Sequence, residues 1–264
     1  MRSKLSVQMY TIRDHTKTAA AMAESLQKIA SIGYPAVQLS AVEAMQGEEP
    51  EVSAETAAAM LADNGLKCIA THRDWKDLRD NTEKEIEFHK ILDCNYAAVG
   101  GIPSDYERTL DGYRRWVADA AEVAARLKPE GIKFGHHNHS HEFFRPERGG
   151  PTFADILIEE GADDFMLELD LYWINHAGVS CERILERCRG RVPVIHLKDK
   201  EMLSPTDNNS TMCPIGEGTL DWKHIIPACE KAGVEWYAIE QDECRRDAFD
   251  CLKSSFEYLA DLQF

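Results

Sequence analysis

The chain has 264 residues, a formal charge of −16 and eight cysteines, at positions 68, 94, 181, 188, 213, 229, 244 and 251. A chain this long buries a core without disulfides, and none of its cysteines forms a C-x-x-C pair, so they read as reduced, buried thiols of a cytoplasmic protein rather than as a zinc ribbon. The acidic balance argues against nucleic acid as a partner, and no signal-peptide core or membrane-length apolar run occurs, which leaves a small neutral or metal-held molecule as the expected ligand.

Taken in order, residues 5–10 alternate apolar and polar and predict a first strand, ending near Gln8 and Arg13. A helix follows over 18–31, with Met22, Leu26, Ile29 and Ala30 on one face and Gly33 as its stop. Residues 36–39 predict strand two, 56–64 a helix capped by Ser53, and 66–72 strand three, finishing on His72 and Arg73. The pattern then predicts a helix over 82–93, strand four over 96–103 and a long helix over 111–128. Strand five is the run 131–135, which leads directly into His136, His137, Asn138, His139, Ser140, His141, Glu142 and Phe143. A short helix over 153–160, strand six over 165–170, a helix over 182–188 and strand seven over 192–199 come next. A polar loop (201–213), a helix (221–232), strand eight (236–242) and a last helix (246–262) complete the chain. Eight strands alternating with eight helices, with no linker between them, predict a single α/β domain over 1–264, a (β/α)₈ TIM barrel.

In such a barrel the C-terminal strand ends converge on one mouth. Polar residues there are Gln8, Gln38, His72, the 137–142 group, Asp170, His196 with Lys198, and Glu240. Four of them, Glu142, Asp170, His196 and Glu240, interrupt otherwise apolar strands. Buried carboxylates so close together need a cation, and three carboxylates with one imidazole suit Mn²⁺ first, with Mg²⁺ or Co²⁺ next and Zn²⁺ after them. Each residue alone also has a purely structural use: Asp170 can cap the following loop, Glu240 can pair with Lys198, and His196 can be a satisfied core histidine.

The stretches beginning Tyr10-Thr-Ile-Arg-Asp, Gly135-His-His-Asn-His-Ser-His-Glu-Phe, Glu168-Leu-Asp-Leu-Tyr-Trp, Ile195-His-Leu-Lys-Asp, Pro214-Ile-Gly-Glu-Gly-Thr-Leu-Asp-Trp and Gly233-Val-Glu-Trp-Tyr-Ala-Ile-Glu-Gln-Asp resemble, in that order and nearly end to end, the sugar phosphate isomerase/epimerase family of xylose isomerase-like barrels. The resemblance implies one divalent metal bound by Glu, Asp, His and Glu from strands five to eight. Asp170, His196 and Glu240 match directly. Many relatives place the first glutamate at the end of strand five, where this chain has His137 or Asn138. Either Glu142 reaches back or a histidine substitutes, and Glu142 is the expected ligand.

The expected activity is isomerisation or epimerisation of a keto-sugar or related polyol through a metal-stabilised enediolate. Glu142, Glu240, His139 and His137 are the candidate proton carriers, while Lys198, His72, Gln8 and Trp173 are the candidate substrate contacts. Trp173 stands where ketohexose epimerases of the group carry a histidine, and Lys200-Glu-Met stands where they tend to carry an arginine. The extra histidines resemble branches acting on inososes or 3-keto sugars, so a lyase or dehydratase is the alternative outcome. An inactive sugar-binding barrel is the non-enzyme alternative. An apurinic endonuclease is disfavoured by the charge and by Gly100-Gly101 at the end of strand four. A homo-oligomer is left open.

Overall fold

The computed structural model describes residues 1–262. Eight parallel strands close into a barrel: β1 (Leu5–Gln8), β2 (Ala36–Leu39), β3 (Lys67–His72), β4 (Tyr96–Val99), β5 (Lys133–His137), β6 (Phe165–Asp170), β7 (Val194–Leu197) and, after a hairpin formed by β8 (Asp199–Met202) and β9 (Ser210–Cys213), β10 (Trp236–Ile239). The ring runs β1-β10-β7-β6-β5-β4-β3-β2, while β8 and β9 pair antiparallel outside it. Side chains alternate along each strand. Outward residues such as Val7, Val37, Phe134, Ile195 and Tyr237 join the large core under the helices. Inward Ala36, Ala70, Tyr96, Ala98, Val194 and Ala238 fill the barrel's lower interior. The Tyr96 ring fits there because position 135 is glycine; a Cβ would collide with the Tyr96 hydroxyl.

The helices follow their sequence signals. Helix Ala19–Ile32 begins where the Thr18 side chain accepts the Ala21 N–H and ends at Gly33, whose φ of 114° is the left-handed stop that glycine adopts without strain. Helix Leu110–Leu127 buries the stripe Tyr113, Trp116, Val117, Ala120, Val123, Ala124 and Leu127 against the barrel. Seven cysteines are buried and Cys244 is half-buried, all as free thiols. Among the described residues no helix is long and apolar enough to cross a membrane.

Several expectations shift. Predicted strands one, four, seven and eight run past the true ends; in seven and eight polar mouth residues (Lys198, Asp199 and Glu240 to Asp242) continue the pattern after the ladder stops, and in one and four apolar residues do. Strand five moves the other way: His136 and His137 belong to β5, so half of the histidine run is strand. Two six-residue helices, Trp75–Asp80 and Leu171–His176, are too short to show a period. The polar loop hides the hairpin, and Asp199, expected to end strand seven, opens β8.

Asp199 ties this region together. It is fully buried. Its Oδ1 accepts the N–H of Lys200 (2.7 Å) and Leu220 (3.2 Å), and its Oδ2 accepts the N–H of Gly216 (2.9 Å), the N–H of Gly218 (3.3 Å) and Trp222 Nε1 (2.7 Å). The stretch 214–222 is therefore wrapped around one carboxylate, and Gly218 leaves it room, since a Cβ there would overlap the Asp199 side chain.

His89 gives the fold an acid sensitivity. It is buried, with Nδ1 donating to Glu85 O at 2.6 Å and Nε2 2.8 Å from Thr71 Oγ1. Burial holds the imidazole below its ordinary value; the neighbouring Glu85 opposes this and Arg73 reinforces it. The unfolded chain takes up the proton that folded His89 refuses, so stability is complete above about pH 6.5 and falls as pH drops below it. Urea midpoints at pH 7.5 and 5.5 should differ less for His89→Gln than for the wild type; equal differences would remove His89 from the account.

Candidate active site at the barrel mouth

The histidine run separates into three places. His136 points outward, buried under helix Leu110–Leu127, where Trp116 Nε1 donates to its Nδ1 at 3.2 Å. His137 points inward, its ring centroid 4.5 Å from that of His196 and 4.9 Å from that of His139. Beyond the strand the chain turns into the 3₁₀ segment Ser140–Phe143, which carries His141 and Glu142 beside His139 at the rim. Asn138 locks this corner, since its Oδ1 accepts the Asp170 N–H at 3.0 Å.

Strand register brings the inward residues together. His137 lies opposite Glu168, and Asp170 opposite His196. His196 Nδ1 is 2.7 Å from Glu240 Oε2 and 4.0 Å from Asp170 Oδ2, while His137 Nε2 is 3.9 Å from the same Asp170 oxygen. Lys198, two residues past His196 and on the same face, sets its ammonium 3.0 Å from Asp170 Oδ2, 2.9 Å from Glu240 Oε2 and 2.8 Å from Asp242 Oδ1. One tier deeper, Glu168 accepts from Gln38 Nε2 at 2.8 Å and lies 2.5 Å from His72 Nε2 and 3.2 Å from His196 Nε2.

The charges follow from this packing. Burial works against the charged form of His196, but Glu168 and Glu240 outweigh it and raise the imidazole to about 10. Both of its ring nitrogens face oxygen acceptors, Glu240 on one side and Gln38 (2.9 Å) on the other. Burial likewise opposes the Lys198 ammonium, yet Asp170, Glu240 and Asp242 hold its pKa well above the usual value. Glu240 is held well below its ordinary value because Lys198 and His196 overcome burial. For Asp170 burial wins over the same two cations, and its carboxyl rises to about 6. Buried beside His196, His137 stays neutral, far below its usual value.

Asp170, His196 and Glu240 are thus brought together as expected, and each also has its structural role: Asp170 Oδ1 accepts the Trp173 N–H (3.1 Å), Glu240 pairs with Lys198, and both His196 nitrogens have partners. Glu142 does not join them. It sits with His139 and His141, which corrects its expected place as the fourth ligand; the β5 side chain nearest Asp170 is His137, with Nε2 3.9 Å from Oδ2, although its ring clusters with His72, Glu168 and His196. The reason is periodicity, because the inward positions of β5 end at His137 and Glu142 lies past the turn. His72 lines the mouth with Nδ1 3.3 Å from Ser40 Oγ. Trp173 is at the rim with Lys198 Nζ 5.8 Å from its ring centre. Gln8 is buried and uses its carbonyl to accept the Tyr10 N–H at 2.6 Å, a cap rather than a free contact. Glu168 was missed, although an acid inside an apolar strand, two positions before Asp170, shares its face and the reason for selecting it.

The family model described as the xylose isomerase-like TIM barrel matches residues 26–262. The chain belongs to the xylose isomerase-like TIM barrel family. No curated protein matches it. Among solved structures, this family member is similar to a sugar phosphate isomerase/epimerase from Parabacteroides distasonis (20% identity, TM-score 0.81, covering 98% of this chain and 94% of that one). It is also similar to the probable 3-DHS dehydratase AsbF from Bacillus anthracis (15%, 0.70, 98% and 100%). A third similar structure is the IOLI protein with a bound zinc atom (17%, 0.72, 98% and 97%). At these identities the likeness is one of fold.

The mouth residues fit a metal. Asp170 Oδ2 is buried and makes no hydrogen bond among the described residues, His137 Nε2 is 3.9 Å from it, and the Lys198 ammonium already lies between the two carboxylate oxygens a cation would take. Two carboxylates (Asp170, Glu240) and two imidazoles (His137, His196) form a more nitrogen-rich set than the three carboxylates and one imidazole read from the sequence. Such a set accepts Zn²⁺, Co²⁺ or Mn²⁺ and disfavours Mg²⁺.

Proposed function

We propose that this barrel is a metal-dependent enzyme of the isomerase/epimerase type that moves a proton beside the carbonyl of a keto-sugar or related polyol. The observation that carries the reading is the convergence of Asp170, His196 and Glu240, with His137 beside them, from four neighbouring strands of the ring, where a single ammonium, that of Lys198, bridges the buried Asp170 and Glu240 oxygens. A divalent cation held there polarises a carbonyl and acidifies the adjacent C–H. The chain's own groups supply the rest. Lys198, freed from Asp170 and Glu240, offers an ammonium to a substrate oxygen. Glu240 takes the proton on one flank. His72 stands across the mouth, separated from Glu240's strand in the ring by β1 and β2, and its Nε2–Glu168 pair at 2.5 Å lets it hold or return a proton on the other flank. Trp173 at the rim gives a flat face for a sugar ring.

A panel of aldoses, ketoses, inososes and 3-keto glycosides incubated in D₂O tests this. Metal-loaded protein should put deuterium at the carbon beside the carbonyl of at least one member, and chelated protein should not. Loss of water from an exchanging substrate would assign the elimination branch, the chemistry of the dehydratase with the similar fold. A panel without metal-dependent exchange would sink the proposal.

A further inference from the structure

We propose a second divalent-cation site at the rim, formed by His139 Nδ1, His141 Nε2 and the Glu142 carboxylate, separate from the donors at the strand ends. The three donor atoms lie within 4.8 Å of one another. His139 Nδ1 and His141 Nε2 are both buried atoms that make no hydrogen bond among the described residues. The two ring centroids are 5.4 Å apart with an interplanar angle of 9°, so a small rotation of one ring is needed for both in-plane lone pairs to meet at one ion. His141 Nε2 lies 2.9 Å from Glu142 Oε1, an ion pair when the ring is protonated and, when it is neutral, a spacing that two ligands of one ion share.

Glu142 is the second, independent indication. It is 0% exposed, and among the described residues no Lys or Arg pairs with it. A buried carboxylate without a permanent cation costs several kcal/mol unless its charge is met. Its neighbours orient it: Tyr113 Oη donates to Oε1 at 3.1 Å and the His139 N–H donates to Oε2 at 2.7 Å, and the groups beside it that can carry positive charge are the imidazoles of His136 and His141. Trp116 occupies His136 Nδ1, which leaves the His136 proton on Nε2, 3.6 Å from Oε1. Outer donors that fix a ligating carboxylate in this way are the usual support of a metal site.

A cavity of about 330 Å³ adjoins the site, with His139, His141, Arg73, Arg108, Asp74 and Asp105 in its lining. Two imidazoles and one carboxylate with an open fourth position form a catalytic-type zinc set, so the cation class is zinc-like and its remaining ligand is water or a substrate oxygen arriving through that cavity. The His137 ring stands between this site and the strand-end site, 4.9 Å from the His139 ring and 4.5 Å from the His196 ring.

Metal counting on the intact chain tests the inference. Protein stripped with chelator, reloaded with Zn²⁺ and freed of excess should hold two ions per chain by elemental analysis. His141→Ala should lose one and keep the other, as should Asp170→Asn, and the double variant should hold none. Thermal melting verifies folding; His139→Ala gives the same readout should His141→Ala not fold. A wild-type count retained in folded His141→Ala would overturn the rim site. A single ion lost in Asp170→Asn but kept in His141→Ala would overturn it too, while leaving the proposed reaction standing. A single ion lost in His141→Ala but kept in Asp170→Asn would support the rim site and remove the metal from the proposed reaction.

Discussion

Glu240→Gln is expected to leave the barrel folded and to lower kcat/KM by roughly 10³ or more, within the range that a positioned general base and a charged ligand contribute. The carboxylate does three things at once. It lies 2.7 Å from His196 Nδ1, 2.9 Å from the Lys198 ammonium, and at the strand end where a substrate proton would be taken. The amide keeps the shape, loses the charge, and cannot accept that proton. It also removes one of the two anionic oxygens that the strand-end metal needs, so metal retention should fall along with turnover. Fold survives because Asp170, Asp242 and Glu168 still face Lys198 and His196. Steady-state rates on whichever substrate shows solvent exchange, together with the deuterium exchange itself, measure the effect. Activity within tenfold of the wild type would take Glu240 out of the chemistry.

Asp199→Ala should fail differently, through the fold. Five N–H donors converge on this carboxylate from residues 200, 216, 218, 220 and 222. Removing it strands several of them in a buried setting, at about 1–3 kcal/mol for each donor that finds no substitute. A total loss of about 3–5 kcal/mol follows, with a fall in melting temperature of roughly 10 °C for a chain of this size. Asp199→Asn is the sharper comparison. Each carboxylate oxygen already accepts at least two N–H groups, so either orientation of the amide turns its NH₂ against donors, and the variant should lose nearly as much. Melting temperatures within about 2 °C of the wild type for both variants would show that the 214–222 segment is held by other means.

The fold was legible because a parallel barrel writes itself twice: apolar strands covered on both faces, and polar residues where each strand reaches the mouth. Asp170, His196 and Glu240 could be selected because they end such strands. Glu142 could not be placed, since residues past a strand end lose the two-residue period, and nothing local fixes how far a 3₁₀ turn carries them. The same period, continued two steps inward from Asp170, identifies Glu168, and applied to β5 it sends His136 behind the barrel and His137 into the mouth. Lys198 was readable as a strand-end residue, but its ammonium between Asp170 and Glu240 depends on three strands meeting, which no single stretch of sequence records. The role of Asp199 was hidden for the same reason, because all of its donors but the adjacent Lys200 N–H lie 17 to 23 residues further along the chain.

Anomalous diffraction from crystals of Mn²⁺-loaded protein tests the central claim most directly. The account predicts a peak at about 2.0–2.3 Å from Asp170, His196 and Glu240, with His137 supplying the donor from β5 and Lys198 displaced from between the carboxylates. A peak bridged to Asp170 by Glu142 in place of His137, or no peak at the strand ends with Lys198 still bound to Asp170 and Glu240, would contradict it.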